Sequence, residues 1–262
     1  MKIGVYQFYP EWGQKEQNLL KIREAIYFHK NVDLWVLPEL CTTGYQFTSK
    51  AELTALAEEF PDGETAHEIM QMTADLQNAL IIGVAEKAGS DVFNSAAVFE
   101  KGNFLGTYRK IHLFYKEKNY FTPGEEIPRV FDIMGARVGV MICFDWIFPE
   151  TARTLALQGA ELLAHSANLV LPYCQQAMIT RSIENRCFTV TANRIGSEER
   201  DGEKLVFTGM SQATDYTGVR LAQLKEDEEK VLIADMDLAL ANNKNITTMN
   251  HLFEDRRINL YK

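Results

Sequence analysis

Three ionisable residues stand immediately after apolar runs that read as strands. Glu39 follows Asp33–Pro38 (DLWVLP), Lys110 follows the run ending Tyr108-Arg109, and Cys143 follows Ala136–Ile142 (ARVGVMI). In α/β sheets the C-terminal strand ends are where ligands and reactive groups collect. A carboxylate, an ammonium and a thiol brought to one point make a nucleophilic site. The carboxylate takes the thiol proton, and the ammonium favours the thiolate. Singly, each residue has a plainer reading: Cys143 as an inert buried thiol, Glu39 as a helix cap or surface acid, Lys110 as a surface cation. Spacing alone does not join them.

A Cys–His pair stays open as a competing arrangement, with His112 or His165 as the partner of Cys143. His112 also reads as a local packing or hydrogen-bonding residue after Lys110. His165 ends a strand beside Ser166-Ala167-Asn168 and reads equally as a pocket wall or a structural residue. Other chemistries lack their residues. There is no H-E-x-x-H and no cysteine–histidine cluster, so zinc has no support. No G-x-S-x-G elbow, Walker loop or G-x-G-x-x-G turn occurs.

The elements that must position these residues alternate between short apolar strands and helical patterns. Strands are predicted at Lys2–Phe8, Asp33–Pro38, Ala79–Ala85, Val92–Phe99, Phe104–Arg109, Ala136–Ile142, Glu161–His165, Cys187–Asn193, Gly209–Asp215 and Lys230–Asp235. Helices are predicted at Gln14–Lys30, about 50–59, Thr65–Gln77, Pro149–Gln158 and Pro172–Asn185, with a short one near Leu238–Asn242. Pro149 suits a first helical turn and Gly159 a stop. Lys101-Gly102-Asn103 reads as a hairpin turn, so a mixed sheet is expected. The run Lys225–Lys230 (KEDEEK) reads as a solvated turn. No internal repeat or flexible linker is visible. Helices must cover the sheet faces to bury so many apolar strands, so one α/β domain is expected.

Composition narrows the function. The chain has 262 residues and a formal net charge of −9. Its pI is near 5.2, which argues against electrostatic binding of nucleic acid or an anionic membrane. The most apolar stretch, Val138–Pro149, is short and carries Asp145, whereas a membrane span needs about 20 apolar residues. The N-terminus lacks a long apolar core of a signal peptide. Cys41, Cys143, Cys174 and Cys187 form no C-x-x-C pair, so a reduced, cytoplasmic protein is expected.

At these residues a family resemblance enters. LPEL (Leu37–Leu40), YRKIHLF (Tyr108–Phe114) and GVMICFDWIFPE (Gly139–Glu150) resemble the glutamate, lysine and cysteine blocks of the carbon–nitrogen hydrolase family, also called the nitrilase superfamily. RSIENRCFTVTANRIG (Arg181–Gly196) and FTGMSQATDYTG (Phe207–Gly218) also resemble family segments. Any one block is weak evidence; all of them in order are highly specific. The resemblance covers the chain from its first strand to the strand at Val231.

The resemblance implies a four-layer αββα sandwich of two mixed β-sheets with outer helices. It implies one domain over residues 1–262, with a tail from about 245, paired into homodimers or higher homo-oligomers through helical faces. It implies that Glu39, Lys110 and Cys143 form the catalytic triad. A second family glutamate falls between the lysine and the cysteine, and Glu117 matches it, seven after Lys110 and six before Pro123. Tyr45, Phe144, Trp146, Asn168 and Tyr173 are the candidate substrate-binding residues. In the implied mechanism Glu39 deprotonates Cys143, the thiolate attacks, and Lys110 with the Phe144 N–H stabilises the oxyanion. No metal or organic cofactor is required.

Cys143-Phe144-Asp145 is similar to the amidase-type branches, whereas many nitrilases carry Cys-Trp-Glu. A small primary amide or N-carbamoyl compound is therefore expected as substrate, with a small nitrile as the alternative. Many amidase-like members carry an arginine where this chain has Ile147, so a substrate carboxylate is not expected to be held there. Arg181 and Arg153 remain candidates for such a cation. Two further readings are a catalytically silent scaffold, which the intact triad opposes, and an ammonia-supplying glutaminase domain.

Overall fold

The computed structural model describes residues 1–261. The first half of the chain gives β1 (Lys2–Gln7), α1 (Lys15–Phe28), β2 (Leu34–Val36), α2 (Lys50–Leu56), α3 (Glu64–Leu76), β3 (Ala79–Ala88), β4 (Asp91–Glu100) and β5 (Asn103–Arg109). The second half gives β6 (Val130–Ile133), β7 (Ala136–Ile142), α4 (Pro149–Leu157), β8 (Leu162–Ser166), α5 (Cys174–Asn185) and β9 (Phe188–Ala192). It ends with the hairpin of β10 (Ser197–Arg200) and β11 (Glu203–Val206), then β12 (Gln212–Thr214), β13 (Arg220–Gln223) and β14 (Lys230–Asp235).

The strands form two six-stranded sheets, ordered β14-β1-β2-β3-β4-β5 and β13-β12-β9-β8-β7-β6. Each sheet has three parallel strands, β1-β2-β3 in one and β7-β8-β9 in the other. Each adds one antiparallel strand on one side and two on the other. The two halves thus share one topology, which the sequence does not show as a repeat.

Period-two alternation decides the layers. Ile3, Val5, Leu34, Val36, Ile81 and Val98 meet Val138, Val140, Ile142, Leu162, Ala164 and Val190 in one core between the sheets. The opposite face of the first sheet, with Tyr6, Leu80, Ile82 and Phe99, is covered by Leu19, Ile22 and Ile26 of α1 and Ala66, Ile69 and Met72 of α3. On the second sheet, Met141 and Leu163 pack under Ala152, Leu155 and Ala156 of α4. The result is the four-layer αββα sandwich.

Most helix and strand positions follow the sequence reading within a few residues, but β6 and β13 were not expected, and two further departures have a visible local cause. The strand expected over Gly209–Asp215 is only Gln212–Thr214, because Gly209 and Met210 adopt φ of +56° and +53° and break the extended run. The β10–β11 hairpin, detached from both sheets, was not expected. Its signal is Asp201-Gly202, both at positive φ (+53° and +73°), a dipeptide suited to a two-residue hairpin turn. The tail expected from about 245 is described to Tyr261, with a bridge between Asn245 and His251 and a 3₁₀ turn at Ile258–Leu260. Lys262 lies outside the described residues.

Candidate active site

Glu39 and Cys143 follow the C-terminal ends of parallel strands β2 and β7. Lys110 follows β5, which runs in the same sense as β2 because two antiparallel steps separate it from β3. All three side chains are therefore delivered to one rim of the sandwich, where they meet in a buried cluster.

Lys110 is fully buried between two carboxylates. Its Nζ donates to Glu39 Oε1 at 2.6 Å and to Glu117 Oε1 at 2.8 Å. Burial opposes its charge, but the carboxylates of Glu117 and Glu39 override this and hold its pKa above the ordinary value. Asn94 on β4 donates to the same Glu39 oxygen at 2.7 Å. Glu117 sits on a 3₁₀ turn, Tyr115–Asn119. Its Oε1 also accepts from the Tyr45 hydroxyl at 2.6 Å, and its Oε2 from the Phe114 N–H at 3.0 Å. Glu39 Oε2 is buried and has no protein hydrogen-bond partner. Burial pushes the Glu39 carboxyl up, against the pull of Lys110.

Cys143 opens a 3₁₀ turn, Cys143–Ile147, with φ of +39°. This left-handed conformation costs a residue with a Cβ about 1–2 kcal/mol. The surroundings hold it there. Asp145 Oδ2 accepts from the Ile142 N–H at 2.9 Å, and Tyr108 and His112 brace the same carboxylate, each at 2.8 Å. His165 Nε2 lies 2.9 Å from the Cys143 carbonyl oxygen. That oxygen only accepts, so Nε2 carries the proton, and Nδ1 is left to accept from Thr191 Oγ1 at 3.3 Å. Burial lowers the His165 pKa to about 4, so the ring is neutral at pH 7. Neither histidine is placed as a base on the sulfur, which answers the Cys–His alternative.

The thiol feels Glu39, Lys110 and Glu117 electrostatically, and the nearby Asn168 backbone favours its thiolate. Burial first, and then the Glu39 charge, push its pKa well above that of a free cysteine, while Lys110 pulls the other way. The resting group is a thiol, and it needs a base.

The cavity over the sulfur is walled by Phe114, Phe144, Trp146, Asn168, Leu169 and Leu171. Its free space is about 10 Å³, room for one water. An acyl group of more than a few heavy atoms needs side-chain movement to enter. No charged side chain lines this wall. Both polar atoms of the Asn168 side chain are buried without a partner. A larger cavity of about 550 Å³ lies elsewhere, among Asp91, Arg109, Glu126 and Arg129, and holds none of these reactive groups. Among the described residues, no group of three or more His, Cys, Asp or Glu is arranged to hold a metal ion.

The structure separates the expected substrate-binding residues. Phe144, Trp146 and Asn168 line the cavity. Tyr45 instead spends its hydroxyl on Glu117. Tyr173 is 63% exposed at the start of α5 and lies outside the cavity wall. Ile147 is 42% exposed and also outside the wall. Arg181 donates to the Trp146 carbonyl at 3.2 Å and pairs with Glu184, and Arg153 bonds the Glu184 carbonyl. Asn94, Tyr108 and the bracing role of Asp145 escaped the sequence reading. Asn94 left one trace, a polar residue inside the apolar run VFNSAAVF, which marks a buried group in need of a partner.

A sandwich with a thiol, an ammonium and two carboxylates buried at one rim defines a thiol-dependent hydrolase. The chain belongs to the carbon–nitrogen hydrolase family, whose sequence profile matches residues 2–244. It is 44% identical to a protein named nitrilase from Pyrococcus abyssi, covering 100% of this chain and 99% of that one. It is 34% identical to a 2-oxoglutaramate amidase from Bacillus subtilis, over 99% and 98% of the two chains. The crystal structure of a carbon–nitrogen hydrolase from Helicobacter pylori G27 superposes with a TM-score of 0.89 at 28% identity, covering 100% and 97% of the chains. The protein is an enzyme that hydrolyses carbon–nitrogen bonds, and no helix among the described residues is long and apolar enough to cross a membrane.

Proposed function

We propose that the enzyme hydrolyses a small uncharged amide through a thioester on Cys143, with Glu39 as general base, Lys110 as oxyanion donor and Glu117 as the group that orients Lys110 and substrate. One observation carries this division of labour. Of the four carboxylate oxygens flanking Lys110, three are engaged, and Glu39 Oε2 alone is buried without a partner. An acceptor with no partner in a dry site is costly unless a proton donor comes to it, and the neighbouring thiol is such a donor.

The steps balance. The Cys143 proton passes to Glu39 as the sulfur bonds the carbonyl carbon, whose π electrons move onto oxygen. Lys110 and the Phe144 N–H stabilise that oxyanion; losing one such donor costs on the order of 3–4 kcal/mol. As the C–N bond breaks, Glu39 returns the proton to nitrogen and ammonia leaves. Glu39 then takes a proton from water, whose oxygen attacks the thioester carbon, and the proton returns to sulfur as the acid departs.

The uncharged, nearly filled cavity wall supports a small neutral acyl group, with the Asn168 amide as its polar contact. A nitrile substrate is the second reading, favoured by the name of the Pyrococcus relative. Exposed Leu157 on α4 and Ile183 on α5 support dimerisation through these helices, and four buried free thiols support residence in a reducing compartment. The test is ammonia release from matched amide and nitrile pairs, with Cys143→Ala as control. Release from amides, abolished in the variant, is expected. Release from nitriles alone moves the assignment to the second reading, and turnover by the variant near the wild-type rate refutes the site.

A further inference from the structure

The detached β10–β11 hairpin carries a buried ion pair that the reaction does not use directly. Arg194, just before the hairpin, and Glu198, on β10, are both fully enclosed, their side chains 0% and 2% exposed. Arg194 pairs with Glu198 Oε1, donates to the Pro10 carbonyl at 3.1 Å, and lies 4.0 Å over the Phe207 ring. Glu198 spends its remaining acceptor capacity on one loop. It accepts the Tyr45 N–H at 3.1 Å and the Gln46 N–H at 2.6 Å. The Tyr45 ring packs edge-on against Phe207, 6.0 Å between centroids.

The same hairpin also grips the residues next in sequence to Tyr45 and Glu117. Gln46 donates its side-chain amide to the Glu203 carbonyl at 3.0 Å, and Lys116, beside Glu117, pairs with the Glu203 carboxylate at 2.5 Å. From Glu198 the path runs through the Tyr45 backbone to its hydroxyl, then to Glu117 at 2.6 Å, Lys110 at 2.8 Å and Glu39 at 2.6 Å.

We infer that Glu198 is a positioning residue for the catalytic cluster, acting through Tyr45 to fix Glu117 and hence the Lys110 ammonium. The inference rests on the proposed roles of Glu117 and Lys110. A buried ion pair is weak evidence for stability, because desolvation offsets its attraction. Here the carboxylate is aimed at two consecutive N–H groups of the residue that touches Glu117. Displacing the tyrosine hydroxyl by about half an ångström stretches this short bond toward about 3 Å and weakens it, and Glu117 then holds Lys110 less firmly.

The test is a double-mutant cycle on steady-state amide hydrolysis, using Glu198→Gln, Tyr45→Phe and the pair together, with Glu117→Gln alongside. Each single variant is expected to lower kcat roughly 10-fold, below the 10²-fold attached to a 1 Å misplacement, with KM within about 2-fold. Because both act on one bond, the double variant is expected to lose about 10-fold as well, not 100-fold. A double variant at about 100-fold, or Glu198→Gln at wild-type kcat, overturns the inference. If Glu198→Gln does not fold, Glu198→Asp, which keeps the charge but shortens the reach, replaces it in the same cycle under the same criteria. Wild-type kcat for Glu117→Gln locates the failure in the proposed site itself. A loss there with none at Glu198 locates it in this inference alone.

Discussion

Gly83 touches no substrate, yet its replacement by alanine should disable the enzyme. β3 passes directly beneath the peptide that carries Glu39. A methyl group at position 83 would stand 2.4 Å from Glu39 Cα, 2.5 Å from the Pro38 carbonyl oxygen and 2.6 Å from the Leu40 nitrogen. Carbon atoms come to rest at about 3.5 Å, so the shortfall is about 1 Å. All three obstacles are backbone atoms, and none can swing aside as a side chain does. β3 is itself pinned between β2 and β4. The Glu39 segment is tied to it by the Leu37 N–H to Ile81 at 2.9 Å and the Cys41 N–H to Gly83 at 3.1 Å. The movement therefore falls on Glu39. A 1 Å error in a catalytic group costs on the order of 100-fold in rate, and overpacking of this kind costs about 1–3 kcal/mol of stability. Gly83→Ala should fold, unfold at lower denaturant concentration, and show kcat/KM about 100-fold down, approaching Glu39→Gln. The assay is ammonia release beside urea unfolding on the same preparation. Wild-type kcat/KM in a folded variant, or a loss that follows only the unfolded fraction, refutes the reasoning.

Two pH effects follow from the same burial. In the proposed mechanism only the ionised Glu39 carboxylate accepts the thiol proton, and burial holds its carboxyl above the ordinary range, near 4.3. The acid limb of kcat/KM should therefore lie above that value, and a limb at or below it in folded enzyme refutes Glu39 as the base. His165 acts on stability. Unfolded, it takes a proton near 6.5, whereas in the fold it resists protonation until about pH 4. Its contribution is present above pH 6.5 and lost as pH falls toward 4, about 3 kcal/mol at 1.36 kcal/mol per unit. Urea unfolding of wild type and His165→Asn between pH 7 and 4.5 reads this directly, and an equal fall in both refutes it.

The strand-end positions of Glu39, Lys110 and Cys143 were legible because strand periodicity survives in a single sequence, but only the family resemblance joined them into one site. Glu117 was legible only through family resemblance, since a 3₁₀ turn at Tyr115–Asn119 has no hydrophobic period to mark it. Loop residues were the least legible. Tyr45 and Tyr173 looked alike as pocket candidates, but one is bonded to Glu117 and the other is exposed on the surface. Nothing local decides between these outcomes, because the partners of Tyr45 lie 72 and 153 residues away. The sheet partition was hidden for the same reason. β14 closes the first sheet beside β1, pairing Lys230 with Gln7 across the length of the chain.

In the mechanism proposed above, the charge count explains why one lysine needs two glutamates. With the thiol protonated, Lys110, Glu39 and Glu117 together carry one net negative charge in a dry site. Ionising Cys143 into solvent would add a second, and burial penalises that strongly. Passing the proton to Glu39 adds nothing: the negative charge moves from carboxylate to sulfur and the total is unchanged. Addition to the carbonyl moves it again, to an oxygen beside the Lys110 ammonium. Glu117 keeps Lys110 charged and in place while Glu39 is neutral, which Glu39 alone cannot do during its protonated phase. The proposed mechanism therefore calls for a second carboxylate beside Lys110, and three hydrogen bonds from Lys110, Tyr45 and the Phe114 N–H hold Glu117 there.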